Sequence, residues 1–93
     1  MKKKIALITG SAKRLGKFTA LELAAAGFDI ALHYHNSEKE KVEDTANEIS
    51  KLNADVKIFK ADLSKVEEIR SMFYNIQYEY KDLNVLINNA AIF

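Results

Sequence analysis

Four short apolar runs, separated from one another by helix-like segments and short connections, constrain this chain more than any other feature. The runs lie at residues 5–9, 29–35, 56–59 and 84–87. Parallel strands need crossover connections of a dozen or more residues, and such crossovers are right-handed. The order βαβαβαβ therefore predicts an α/β fold, a doubly wound parallel sheet with helices on both faces.

The first intervening segment, from about Leu15 to Ala26, is rich in strong helix formers, and Gly27 is a residue that commonly closes a helix. The second opens at Ser37, whose spacing to Glu40 fits a capping box. Its predicted apolar face consists of Val42, Ala46 and Ile49, and Asn53 is predicted to end it.

The third segment shows the clearest helical periodicity in the chain. Ser64 and Glu67 repeat the capping-box spacing at its start. Apolar residues then follow at intervals of three and four. The predicted apolar face is Val66, Ile69, Phe73, Ile76 and Tyr80. We interpret Tyr74 and Tyr78 on the same segment as packing or surface residues.

Composition limits the size and the partners of the protein. With 93 residues, the chain has room for one modest core and thus one domain. A net charge of +1 favours neither nucleic acid nor an anionic membrane as a partner. The apolar runs are too short to span a bilayer, and the absence of cysteine excludes disulfides and suits a reducing compartment. We therefore expect a cytoplasmic protein.

The loop after the first apolar run is suited to a phosphate group. It reads Thr9-Gly10-Ser11-Ala12-Lys13-Arg14-Leu15-Gly16 and leads directly into a helix, whose first turn offers free N–H groups and a positive dipole end. It is neither the common G-x-G-x-x-G fingerprint nor a Walker loop, because Ala12 and Phe18 depart from them. An ordinary strand-to-helix turn remains the alternative interpretation.

Two further motifs join this loop in a resemblance to the short-chain dehydrogenase/reductase family. They are Asp62-Leu63-Ser64 after the third run and Asn88-Asn89-Ala90 after the fourth. The resemblance implies a Rossmann-type fold, with residues 1–93 as the N-terminal part of one dinucleotide-binding domain. It also implies that Gly10 to Gly16 hold the cofactor pyrophosphate, that Asp62 faces the adenine, and that Asn89-Ala90 line the nicotinamide side.

Within that family the chain looks like the pteridine reductases. The shared segments are Ala12-Lys13-Arg14-Leu15-Gly16 and Leu32-His33-Tyr34-His35 followed by Ser37. The resemblance implies that Arg14 and Phe93 contact the substrate, Phe93 by stacking on a pterin. The chain departs from the subgroup at Asn36, where arginine is common, and at Ala91, where serine is common.

The end of the second run indicates which nicotinamide cofactor is preferred. An acidic residue there would bind the ribose hydroxyls of NAD and repel a 2′-phosphate, but the first acid is Glu38. His35, Asn36 and Ser37 could instead donate to the phosphate, so we expect NADP(H). The predicted cofactor-binding residues are Gly10, Ser11, Lys13, Arg14, Leu15, Gly16, Tyr34, His35, Asn36, Ser37, Asp62, Leu63, Asn89, Ala90 and Ala91.

A metal site is not predicted from the sequence. His33 and His35 could share one strand face, but they lack an evident third ligand.

The catalytic tyrosine and lysine that the family implies are absent from the chain. None of its four tyrosines begins the Tyr-x-x-x-Lys pattern, so we predict no catalytic residue in it and no turnover by residues 1–93 alone. The chain stops just after a strand, which we interpret as truncation. The full-length protein is expected to be an NADP(H)-dependent oxidoreductase that reduces a carbonyl or pterin-like substrate and forms dimers or tetramers. A 3-oxoacyl or sugar reductase and a non-catalytic NADP(H) sensor remain alternatives.

Overall fold

The computed structural model of the chain describes residues 4–10, 14–80 and 83–89. Strands and helices alternate along it, which confirms the predicted order. The strands are β1 (Ile5–Ile8), β2 (Asp29–Tyr34), β3 (Val56–Lys60) and β4 (Val85–Ile87). The helices are α1 (Arg14–Ala25), α2 (Lys39–Ser50) and α3 (Val66–Tyr80).

The four strands form one parallel sheet in the order β3-β2-β1-β4. Leu7 of β1 lies in register with Ala31 of β2 on one side and with Leu86 of β4 on the other. The chain thus moves outward from β1 to β3 and then returns to the opposite side of β1. In sheets of this kind, such a reversal opens a crevice beyond the carboxyl ends of the strands.

Apolar side chains pack on both faces of the central strands β1 and β2, as their continuous apolar runs predict. On one face, Ile8 and Leu32 pack in a cluster with Val42 and Ile49 of α2. On the other, Leu7 and Phe59 belong to a cluster with residues of α3, including Ile76. Every residue of β1 is buried as a result, so the strand that leads into the glycine loop is rigidly held.

The predicted ends of α1 and α2 agree with the backbone. Gly27 has φ of +101°, and the Gly27 and Phe28 N–H groups donate to the carbonyls of Ala24 and Leu23. This pair of hydrogen bonds is a Schellman motif, which satisfies carbonyls left free at the helix end. Asn53 has φ of +64° and follows the last turn of α2, which confirms that it takes part in ending that segment.

Both predicted capping boxes are wrong. The N-cap of α2 is Glu38 rather than Ser37, and it makes no side-chain capping hydrogen bond. Ahead of α3, the Ser64 N–H and hydroxyl both donate to the Asp62 carboxylate, at 3.0 and 2.6 Å. Because the Asp62 carboxylate occupies the Ser64 N–H, the reciprocal contact with Glu67 that defines a capping box cannot form.

The apolar face of α3 is also shifted from the predicted one. Ile76 and Tyr80 are buried as expected, and Met72, which was not predicted, is buried with them. Val66 is 61% exposed because it stands in the first turn of the helix. Tyr74 and Tyr78 are exposed.

None of the helices in the described residues has the length and apolar character needed to cross a membrane.

Tyr80 gives a first test of this packing. Its hydroxyl donates to the Ile30 carbonyl oxygen at 3.1 Å, and burial raises the pKa of the hydroxyl, so it remains a donor. We expect Tyr80→Phe to lower the free energy of unfolding by about 1 kcal/mol, measured by urea denaturation. Tyr78→Phe is the matched control, because Tyr78 is 79% exposed on the same helix. Equal stability of the two variants would contradict a stabilising hydrogen bond from Tyr80 to Ile30.

Candidate functional site

The loops that follow β1 and β4 meet beside the reversal point of the sheet. The Asn89 N–H donates to the Thr9 hydroxyl oxygen at 2.8 Å, and the Thr9 N–H donates to the Ile87 carbonyl at 3.0 Å. The Asn89 side-chain amide donates to the Gly10 carbonyl at 3.2 Å. These contacts fasten the start of the glycine loop to a segment about 80 residues away in sequence.

Two glycines allow the end of β1 and the first turn of α1 to lie this close together. Gly10 has φ of +65°, in the left-handed region that favours glycine. Gly16 is buried, and a Cβ atom there would overlap the Gly10 carbonyl oxygen and lie 2.6 Å from the Asn89 amide nitrogen. The turn of α1 that contains Gly16 therefore packs directly on the backbone at the end of β1.

The N-terminus of α1 is electrostatically suited to an anion. A helix N-terminus carries a partial positive charge and unpaired N–H groups. The first turn of α1 contains no acidic residue, whereas Glu40 lies in the first turn of α2 and Glu67 and Glu68 in that of α3. Among the three helices, α1 is thus the one whose N-terminus is not already compensated by a carboxylate.

His33 links the ends of three strands. Its side chain is buried, with 1% exposure, near the end of β2. The Gly10 N–H donates to Nδ1 at 2.9 Å, and Nε2 lies 2.9 Å from the Ala61 carbonyl oxygen. Burial is the largest influence on the pKa of His33 and lowers it; the Ala61 contact raises it, and nearby His35 lowers it further.

Two carboxylates, one in the loop and one in the first turn of α3, hold the loop that follows β3. Asp62 accepts both hydrogen bonds from Ser64, and these are the main cause of the lowered pKa of the Asp62 carboxyl. The Asp62 N–H donates to Glu68 Oε1 at 2.9 Å. His35 Nε2 lies 3.8 Å from Asp62 Oδ2, so the segments after β2 and β3 are neighbours.

The remaining predicted site residues are distributed as follows. His35 and Asn36 are exposed beyond the end of β2, and Tyr34, Ser37 and Leu63 are half-buried. Leu15, on the first turn of α1, is 68% exposed. Ser11, Lys13, Ala90, Ala91 and Phe93 lie outside the described residues, as does the side chain of Arg14. In the described residues, no three His, Asp or Glu side chains gather as a metal site would require.

The sequence did not predict the hydrogen-bonding roles of three groups in this region. They are the Thr9 hydroxyl, the His33 ring and the Glu68 carboxylate. Each acts across strands or between a strand end and a helix, so local spacing carries no signal for it. The only available signal was that Thr9 and His33 stand at the polar ends of apolar runs.

A glycine loop between a buried strand and an uncompensated helix N-terminus, placed at the reversal point of a parallel sheet, is typical of nucleotide-binding α/β proteins. The chain belongs to the short chain dehydrogenase family, whose model matches residues 4–93. This finding confirms the family predicted from the three motifs. The family match does not show the narrower resemblance to pteridine reductases.

Known relatives agree with this assignment. The chain is 35% identical over 89 residues to 3-oxoacyl-[acyl-carrier-protein] reductase FabG of Staphylococcus aureus strain Mu50, covering 96% of this chain and 36% of that protein. A short-chain dehydrogenase/reductase structure from Sinorhizobium meliloti 1021 has a TM-score of 0.91 and 32% identity, covering 99% of this chain and 42% of that one. A Burkholderia cenocepacia dehydrogenase with bound NADP has a TM-score of 0.87 and 29% identity, covering 94% and 34%. The chain therefore corresponds to well under half the length of these relatives.

Proposed function

We propose that residues 1–93 supply the cofactor-binding half of an NADP(H)-dependent reductase. The observation that carries this proposal is the contact of Gly10, Gly16 and Asn89, which brings the first turn of α1, a turn without acidic residues, against the end of β1 beside the sheet crevice. Gly10 to Gly16 would hold the pyrophosphate, Asp62 and Leu63 would lie on the adenine side, and Asn89 to Ala91 would line the nicotinamide side. When bound, the cofactor supplies a hydride to the substrate.

The preference for NADP(H) rests on the segment after β2. His35 and Asn36 are exposed there, Ser37 is half-buried, and the nearest acid in sequence is Glu38 at the N-cap of α2. These residues offer donors to a 2′-phosphate at the start of a helix. The structural relative with bound NADP supports the same preference.

Two substrate classes follow from different observations. The relative named as a 3-oxoacyl reductase favours an acyl-thioester carbonyl. The segments shared with pteridine reductases favour a flat pterin-like ring, which would stack on Phe93 and lie near Arg14. We further propose that the protein is cytoplasmic and forms homo-oligomers, with neither nucleic acid nor a membrane as partner. A sugar reductase of the same family is a further alternative.

Measuring NADPH oxidation with a 3-oxoacyl thioester and with an oxidised pterin separates these classes. Residues 1–93 contain no Tyr-x-x-x-Lys pattern, so we expect turnover only from a longer chain that carries the catalytic groups. Tight NADPH binding by such a chain without turnover of either substrate would favour the non-catalytic sensor. A reductase rate from residues 1–93 alone would contradict the proposed division of roles.

Ser37→Asp tests the cofactor preference. The new carboxylate would repel a 2′-phosphate and accept from ribose hydroxyls, so we expect the ratio of NADPH to NADH affinity to fall by about tenfold or more, about 1.4 kcal/mol. Both affinities can be measured by titration of nicotinamide fluorescence. An aspartate at the start of α2 also suits the helix dipole, so folding should be retained.

Asn47→Asp is the matched control. It adds the same charge at an exposed position in the middle of α2 and should leave the affinity ratio unchanged. A wild-type protein that binds NADH at least as tightly as NADPH would contradict the proposed preference. Equal effects of the two variants would show that net charge, and not the position of Ser37, sets the ratio.

A further inference from the structure

The His33 ring can make its two described contacts in only one protonation state. Nδ1 must be unprotonated to accept the Gly10 N–H, and Nε2 must carry a hydrogen to donate to the Ala61 carbonyl. The ring is therefore the neutral Nε2–H tautomer. A second proton would place an N–H group against the Gly10 N–H, and this contact would be lost.

The Gly10 contact matters because Gly10 is held on both sides. The His33 ring accepts from the peptide that precedes the Gly10 Cα, and the Asn89 amide donates to the carbonyl that follows it. Together they fix the two peptide planes that define the positive φ of Gly10. The backbone conformation of Gly10 at the end of β1 therefore depends on both contacts.

The opposite side of the ring is tied to a carboxylate through one peptide group. The Ala61 carbonyl accepts from His33, and the N–H of the same peptide, that of Asp62, donates to Glu68. The structure thus contains a continuous path of hydrogen bonds from the start of the glycine loop to the first turn of α3. Hydrogen bonds in such a path polarise one another.

From these contacts we propose that His33 is a positioning residue for the cofactor: its neutral ring holds the Gly10 backbone in the conformation that the dinucleotide requires, and protonation breaks that contact. This inference rests on the proposed binding of NADP(H). It assigns to His33 no contact with substrate or cofactor; the ring acts through the Gly10 backbone.

The charged groups around His33 set the direction of the pH response. His35 lies just beyond the end of β2, Asp62 follows β3, and Glu68 with its ion-pair partner Lys65 lies at the start of α3. Burial and His35 place the pKa of His33 below its ordinary 6.5 despite the opposing Ala61 contact. The Gly10 contact is therefore intact above that pKa and lost as pH falls through it.

Two substitutions distinguish the contact that Nδ1 makes with Gly10 from the contact that Nε2 makes with Ala61. In His33→Asn, the amide oxygen stands near the position of Nδ1 and can accept the Gly10 N–H, while the reach to Ala61 is lost. In His33→Gln, the amide lies near the position of Nε2 and can donate to Ala61, while the Gly10 N–H loses its acceptor. A merely structural role for His33 predicts that Gln substitutes at least as well as Asn.

The experiment measures NADPH affinity of the protein and both variants between about pH 8 and about pH 5.5. We expect His33→Gln to lose about tenfold in affinity at the higher pH, and His33→Asn to stay within about threefold of wild type. Affinity of the wild type should fall more steeply at acidic pH than that of His33→Asn. The rest of the proposed binding site is the same in all three proteins, so the comparison reports on position 33.

Amide hydrogen exchange at Gly10, measured without cofactor, keeps this inference separate from the proposed function. We expect Gly10 to be protected in wild type and His33→Asn and to exchange faster in His33→Gln. Wild type that binds neither NADPH nor NADH would overturn the proposed function, while protection in this pattern would still support the His33–Gly10 contact. Wild-type affinity and protection in His33→Gln, or identical pH profiles for wild type and His33→Asn, would overturn the inference.

Discussion

Gly16→Ala is expected to abolish cofactor binding and to destabilise the fold. The added methyl would overlap the Gly10 carbonyl oxygen and press on the Asn89 amide, and the first of these is backbone that cannot move aside as a flexible side chain can. We expect a loss of about 3 kcal/mol or more in the free energy of unfolding and an NADPH affinity lowered by about 100-fold or more. Urea denaturation and fluorescence titration measure the two effects.

Helix propensity alone predicts the opposite change in stability for Gly16→Ala. Alanine is favoured over glycine in helices by about 1 kcal/mol, so a variant that gained stability would show that α1 does not pack on Gly10 as described. Glu22→Ala is a suitable control, because Glu22 is exposed on the same helix. It should leave both stability and NADPH affinity close to those of the wild type.

Thr9→Val is expected to be the second most damaging change at the site. Valine has nearly the shape of threonine, but it cannot accept the Asn89 N–H, which the Thr9 hydroxyl does at 2.8 Å. A donor left without its acceptor at a partly buried position costs about 1–3 kcal/mol. We expect unfolding at a correspondingly lower urea concentration, together with weaker NADPH binding because Asn89 also supports Gly10.

Thr9→Ser separates the hydroxyl from the methyl group. Serine retains the acceptor for Asn89 and should recover most of the NADPH affinity, although it loses buried methyl packing. If Thr9→Ser weakened NADPH binding as much as Thr9→Val, the methyl group and not the hydrogen bond would be the important feature. The pair therefore tests the chemistry of the contact and not only its location.

The fold followed from the sequence because its main determinants are local. Buried strands appear as continuous apolar runs, and the order βαβαβαβ leaves few topologies once crossovers are right-handed. Gly27 and Asn53 were predicted correctly because a left-handed backbone has strong residue preferences. The capping box predicted at Ser64 was wrong because spacing alone does not show which acceptor the serine contacts. The Asp62 carboxylate, two residues earlier, accepts the Ser64 N–H that the pattern assigns to Glu67.

The site was predictable only in outline. The glycine loop and the Asn-Asn-Ala segment are local motifs, and the topology brings Gly10 and Asn89 into contact. The role of His33 depends on its simultaneous register with Gly10 and Ala61, which belong to segments on either side of β2. The spacing along β2 indicates that His33 and His35 point to the opposite side from Tyr34. It does not indicate which backbone groups the His33 ring contacts.

The pairing of β1 with β4 has a consequence for how the protein acquires its ligand. Gly10 emerges from the ribosome early, whereas Asn89, which holds its carbonyl, follows about 79 residues later. The contact between Gly10 and Asn89 therefore forms only when β4 docks beside β1. A ligand that binds only the form with β4 docked favours that form by mass action, so the proposed cofactor would stabilise the pairing of β1 with β4.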